Sequence, residues 1–248
     1  MTQPSKLLSQ ILVKIRELKA LNQASLIVFD LDSTLFDVSP RLQRIMVDFA
    51  KNPQNQKAFP ESCEILRTVQ TLRTDWGIQK ALIRAGLDGH HPDFHHALKE
   101  HWHRCFFSNE YLQYDIPYDG AQEFVQRAHQ TGAHITYLTG RDIARMGTGT
   151  SEILKKWDFP LEMERVELVL KPEKSLDDAK FKSDYFAALP EHYFKSIWFF
   201  ENEPMNTNLV QSCHDHVEIV FFESTHAGVE EPHPLLPKIM HYLIEEED

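Results

Sequence analysis

The sequence predicts an α/β fold: a parallel sheet with helices on both faces, and a block of helices inserted after its first strand. Two patterns carry this reading. Beyond residue 116, short apolar runs at 134–138, 166–170, 196–200 and 217–222 alternate with helix-patterned stretches, which is how parallel strands are connected. Between the first apolar run, 25–29, and residue 116 the periodicity is helical throughout, so the chain leaves the sheet early and returns late.

The elements follow in order. Leu8, Ile11, Leu12, Ile15 and Leu18 recur at helical spacing with Lys14, Arg16 and Lys19 among them. They read as a helix packed on the protein's own core, an interfacial membrane helix being the alternative. After strand 25–29, residues 41–50 place Leu42, Ile45, Met46 and Phe49 on one helix face, residues 60–85 are helical in pattern, and residues 94–106 align Phe94, Leu98 and Trp102. The block from 39 to 115 is too long for a crossover between neighbouring strands and reads as an inserted cap. The core is then 1–38 with 116–248. A helix at 121–131, closed by Gly132, opens the second half, and Gly147-Thr148-Gly149-Thr150 reads as a connection into a helix at 151–157. Strands such as Ile197-Trp198-Phe199-Phe200 are apolar without alternation, as expected when both sheet faces are covered.

Composition narrows the class. The 248 residues include 26 basic and 37 acidic side chains, a formal charge of −11, which opposes binding to nucleic acid. Three separated cysteines, Cys63, Cys105 and Cys213, make neither a disulfide framework nor a zinc knuckle and suit a reducing compartment. No apolar run is long enough to span a bilayer and no signal peptide is visible, so the expectation is a cytoplasmic protein. Oligomeric state is open.

Chemistry concentrates at strand ends, where such sheets bind ligands. Phe29-Asp30-Leu31-Asp32-Ser33-Thr34 sets two carboxylates two residues apart as the first strand stops. Strand periodicity sends both to one side, and a hard divalent cation would relieve their repulsion. Strand 134–138 delivers Thr139-Gly140-Arg141-Asp142, with a hydroxyl suited to a phosphoryl oxygen; Arg141 and Asp142 either line the pocket or cap the next helix. A fixed positive charge is needed beside so many carboxylates, and Lys182 and Lys171 compete for that place. Strand 196–200 ends in Glu201-Asn202-Glu203-Pro204, whose Glu201 can reach a cation, with Asn202 or Glu203 beside it. His90, His91, His95, His96, His101 and His103 crowd one stretch but lack a recognisable ligand order and read as cap surface.

Asp30, Asp32, Thr139, Lys182 and Glu201, in this order, resemble the motifs of the haloacid dehalogenase superfamily, of the phosphatase type with a helical cap. The resemblance implies a Rossmann-like core and Mg²⁺ held by Asp30, Asp32 (through its backbone carbonyl) and Glu201. It also implies an Asp30 nucleophile that forms an aspartyl phosphate, Asp32 as acid/base, and Thr139 and Lys182 on the phosphate, Lys182 being favoured over Lys171 by its place before the fourth motif. Glu201-Asn202-Glu203 departs from the aspartates usual there. The second carboxylate, Asp32, points to a phosphatase rather than a dehalogenase. The expected function is hydrolysis of a small phosphorylated metabolite, the alternatives being a nucleic-acid end phosphatase or a catalytically silent binding protein of the same fold.

Overall fold

The structure, a computed structural model, describes residues 3–89 and 91–244; His90 lies outside them. From the N-terminus, α1 (Gln3–Ala20) leads into β1 (Ala24–Phe29) and the short β2 (Phe36–Asp37). Helices α2 (Ser39–Lys51), α3 (Pro53–Ala58), α4 (Pro60–Leu66), α5 (Gln79–Arg84), α6 (Pro92–Phe106) and α7 (Asn109–Leu112) come next, then β3 (Ile116–Pro117). The remainder runs α8 (Ala121–Thr131), β4 (His134–Asp142), α9 (Ile143–Lys156), β5 (Val166–Lys171), α10 (Asp178–Ala187), β6 (Phe194–Glu201), α11 (Pro204–Cys213), β7 (Val217–Phe222) and β8 (Lys238–Ile239).

Six strands form one sheet in the order β5-β4-β1-β6-β7-β8, and each neighbouring pair is parallel. The fold is α/β with helices on both faces. Period-two geometry divides the strand residues between two cores. Ile27 and Phe29 face Leu8, Leu12 and Ile15 of α1 and Phe124 and Val125 of α8. Leu26 and Val28 face the opposite layer, with Phe186 of α10 and Val210 of α11. Burial of Leu8, Ile11, Leu12, Ile15 and Leu18 settles α1 as a helix packed on its own protein.

Between β2 and β3, which pair antiparallel as a two-stranded stem, the chain builds a third core from Met46, Phe49, Cys63, Leu66, Leu82, Phe94 and Leu98. Residues 60–85 are not one helix. α4 and α5 are separated by an irregular stretch, 67–78, that side chains hold in place of a helical ladder. Gln43 donates to Val69 O at 2.5 Å and accepts from Thr71 N at 2.8 Å, and the Asp75 carboxylate accepts from Leu72 N at 2.8 Å.

Residues 147–150 also differ from the expected connection, because they lie inside α9. Asp142 starts that helix early by accepting from Arg145 N at 3.0 Å, the interaction that makes Asp a good N-cap. Gly149 is required by packing: a Cβ there would lie 2.6 Å from Asn109 O and 2.8 Å from Asn109 Cα, so its absence lets α7 approach α9. Among the described residues no helix is long and apolar enough to cross a membrane.

Candidate active site

β1 lies between β4 and β6, with Phe29 in register with both Tyr137 and Phe200. The chain therefore crosses to opposite sides of β1, and a crevice opens at the carboxyl ends of these strands. Asp30 stays on the sheet, its N–H donating to Phe200 O at 3.0 Å. Beyond it the backbone folds into a tight turn. Leu31 O accepts from Leu35 N at 3.0 Å and Phe36 N at 2.9 Å, and Ser33 takes a left-handed φ of 61°, unusual for a residue with a Cβ. The turn brings the Thr34 hydroxyl to 2.9 Å from both Asp30 Oδ2 and Asn202 Oδ1. Its single proton serves one of them at a time.

Asp177 caps α10 by accepting from Lys180 N at 2.8 Å. From that helix the buried Lys182 reaches across the crevice. Its Nζ lies 2.6 Å from Asp30 Oδ1 and 2.6 Å from Glu201 Oε2. Burial by itself would lower the Lys182 pKa, but Asp30 and Glu201 outweigh it and hold the ammonium above its ordinary value. Asp30 moves the other way, pushed up to about 7 by burial and by the nearby Glu201, with Lys182 opposing the rise. Glu201 is saturated: Oε1 accepts from Asn202 N and Glu203 N, both at 2.9 Å, and Oε2 from Lys182 and from Asn206 Nδ2 at 3.0 Å. Lys171 is elsewhere, paired with Asp178 and donating to Leu176 O at 3.0 Å.

Asp32 occupies a separate electrostatic setting. Arg141 Nε and Nη2 lie 2.9 Å from its two oxygens, and Arg41 Nη2 lies 2.5 Å from Oδ1. Both guanidinium groups also hold the wholly buried Asp115: Arg41 Nε at 2.7 Å with a second bond from Nη2, and Arg141 Nη2 at 2.9 Å. Burial raises the Asp32 pKa, yet Arg141 and Arg41 overcome it and hold the carboxyl well below the usual range. Asp32 is an ion-paired carboxylate here.

The predicted residues are thus distributed in three ways. Asp30, Lys182 and Glu201 meet in one contact. Asp32 lines the same cleft but is tied to two arginines. Thr139 is buried at the end of β4, its hydroxyl accepting from Arg141 N at 3.3 Å, and it is Gly140 and Arg141 that line the cleft beside it. Sequence reasoning missed Arg41 and Asp115, whose charges meet only when α2 and the approach to β3 are folded together. Thr34 was visible in the first motif, but its link to Asn202 spans residues that no pattern connects.

The cleft encloses about 520 Å³. Asp30, Lys182 and Glu201 lie on its sheet side, and Trp76, Trp102 and Phe106 come from the 39–115 block. Among the described residues, no three His, Cys, Asp or Glu side chains are grouped to hold a metal ion. Magnesium asks for less, since it keeps several waters and commonly takes one or two carboxylates. Asp30 and Glu201 converge on one ammonium, and Glu203 Oε1 is buried with no partner among the described residues, the pKa of its carboxyl raised by burial. This oxygen-rich donor set fits Mg²⁺.

Residues 24–153 match the model of the haloacid dehalogenase-like hydrolases, and the chain belongs to that family. Solved structures agree on the fold. A HAD-superfamily hydrolase from Ehrlichia chaffeensis is 9% identical with a TM-score of 0.50, covering 89% of this chain and 93% of its own. A hydrolase from Streptococcus pneumoniae TIGR4 is 13% identical with a TM-score of 0.51, covering 82% and 94%. A candidate phosphatase from Clostridium difficile is 10% identical with a TM-score of 0.51, covering 81% and 86%. No curated protein matches the chain.

Proposed function

We propose that this hydrolase is a magnesium-dependent phosphomonoesterase that acts on a small phosphorylated metabolite through an aspartyl phosphate on Asp30, with residues 39–115 serving as its cap. One observation carries the reading: the Lys182 ammonium lies 2.6 Å from both Asp30 and Glu201. A buried carboxylate nucleophile is thereby fixed beside a permanent positive charge where a phosphoryl group would arrive.

Asp30 Oδ attacks phosphorus in line with the leaving oxygen, and the bond from phosphorus to the alcohol breaks. Lys182 neutralises charge on the transferred group and orients Asp30. Thr34, by donating to Asp30 Oδ2, holds the other oxygen out of the attack. Asp32 donates a proton to the leaving alcohol and later takes one from the water that cleaves the acyl phosphate. Its guanidinium partners favour the carboxylate form, so before the first transfer Asp32 must give up those partners and take up a proton from solvent, which the leaving alcohol then receives. Bound Mg²⁺ would be held by Asp30, the Asp32 carbonyl and, once its Oε2 releases one of its two donors, Glu201, and would supply charge neutralisation. The buried Thr139 acts by accepting from Arg141 N at the register shift of β4, which positions Arg141. The excess of carboxylates around the cleft makes a nucleic-acid end an unfavourable substrate.

A second reading is favoured by Asp32 itself: a carboxylate locked by two arginines describes a catalytically silent binding protein of this fold. Hydrolysis of acetyl phosphate and p-nitrophenyl phosphate separates the two. Turnover that rises with magnesium and vanishes on chelation is expected. A pure, folded protein with no turnover of either compound would establish the silent reading.

A further inference from the structure

The cleft has an aromatic wall that phosphoryl transfer does not use. Trp102 lies 5.3 Å from Phe106 and 6.2 Å from Phe107 between ring centroids, and those two are 5.1 Å apart, so the end of α6 presents one continuous aromatic surface. Trp76 lines the same cleft while 53% exposed. Leaving so large an apolar ring in water forfeits the stabilisation that burial would give. The backbone on either side of it is nonetheless constrained. Asp75, its neighbour, accepts from Leu72 N and pairs with Arg84 at 2.5 Å, and Gly77 behind it takes a φ of 66°. Trp102 Nε1 finds no hydrogen-bond partner among the described residues, so no polar contact fixes the tilt of that ring.

Charge narrows the choice further. Seven carboxylates line the cleft against two cations, Lys182 and Arg141, and both cations are already engaged by carboxylates. A second anionic group on a substrate would meet no free ammonium or guanidinium. Asp75, next to Trp76 in the chain, is compensated by Arg84, and Asp178 by Lys171, so these two carboxylates offer no uncancelled charge to a cationic group.

We propose that the phosphomonoester taken by this site carries an uncharged planar aromatic group on its alcohol and no second anionic group, with Trp76 and Trp102 as the residues that select it. This rests on the phosphatase reading above. The test compares 2-phenylethyl phosphate, n-propyl phosphate, phosphocholine and the phosphate ester of 3-hydroxypropionate, all esters of primary alcohols, so that leaving-group basicity changes little.

The parent protein is expected to show a kcat/KM for the phenylethyl ester about tenfold above that for the propyl ester, the size of one stacking contact, expressed in KM. Trp76→Ala and Trp102→Leu, each checked for an unfolding transition, are expected to bring that ratio below about threefold. A parental ratio near one, preference for phosphocholine or for the carboxylated ester, or both variants keeping the parental ratio would overturn the inference while leaving the phosphatase reading intact. Failure to hydrolyse any of the four, or acetyl phosphate, removes both.

Discussion

Arg41 Nη2 lies 2.5 Å from Asp32 Oδ1, joining the first turn of α2 to the carboxylate that follows β1. The same guanidinium also binds Asp115 just before β3, so one side chain ties both ends of the helical block to the turn that follows β1. Displacing the block relative to the sheet would change the partners of Asp32, the rearrangement that the proposed proton donation by this residue requires.

The network around Arg41 is buried, and breaking it by removing one partner leaves charge without compensation. Arg41→Met is expected to cost about 3 kcal/mol of unfolding free energy in urea titrations, and Asp115→Asn somewhat less. Because both mutations remove members of one network, the double variant should cost less than their sum, with a coupling of about 2 kcal/mol. Strictly additive losses would show that the two residues do not act together.

Asp30→Asn tests the nucleophile and the electrostatics at once. The amide cannot form a stable acyl phosphate, so turnover should fall to background. In the metal-free protein stability should respond in the opposite sense. With its folded pKa pushed up to about 7, the Asp30 carboxyl favours the native state fully below its unfolded value, and that contribution is lost as pH rises through 4 to 7. Asn carries no such dependence. With EDTA present, Asp30→Asn is therefore expected to exceed the parent in stability at pH 8, by on the order of 2 kcal/mol, and to lose this advantage near pH 4. Adding magnesium at pH 8 should raise the melting temperature of the parent more than that of the variant.

Much of this was legible in the sequence because the sheet is. Runs such as Ile197-Trp198-Phe199-Phe200 can only be buried strands, and once the sheet is parallel the polar residues at its ends must share a crevice. Asp30 and Glu201 could be named on that ground, and Lys182 by the resemblance that expects a lysine in the helix before the fourth motif. What stayed hidden depends on packing across the chain. Thr139 has the chemistry of a phosphate ligand, but β4 shifts register between Thr139 and Asp142 and the Thr139 hydroxyl accepts from Arg141 N. Arg41 reads as an ordinary charged residue in the first turn of a helix, since nothing local reveals that Asp115 and Asp32 will surround it.

The two lysines that competed in the sequence now have distinct environments, and their variants should separate accordingly. Lys182→Ala removes the charge shared by Asp30 and Glu201, and a fall in kcat of about 10²-fold or more is expected. Lys171→Ala breaks a pair whose Asp178 side chain is about half exposed, so Asp178 can be rehydrated. A stability loss of about 1 kcal/mol with kcat within about threefold of the parent should follow. Comparable losses of kcat in both variants would contradict this division of roles.

The glycines of Gly147-Thr148-Gly149-Thr150 look like a connection when read by spacing, whereas the structure uses Gly149 for helix packing. Thr150 belongs to the helix too, its hydroxyl donating to Met146 O at 2.7 Å. In an isolated helix Gly→Ala would be stabilising by about 1 kcal/mol. Here the new Cβ would fall 2.6 Å from the Asn109 carbonyl oxygen, and because the obstruction is backbone it cannot swing aside. Gly149→Ala must push α7 away from α9 or bend α9, and it should also weaken the bond that Gly149 N donates to Asn109 Oδ1 at 2.7 Å. The propensity gain and the packing loss have opposite signs, and the second is larger: a net destabilisation of about 2 kcal/mol is expected in denaturant titrations. Gly147→Ala, with only Ile143 Cγ2 at 3.8 Å, should instead be neutral or stabilising. Equal effects at the two positions would mean that residues 147–150 are a flexible connection after all.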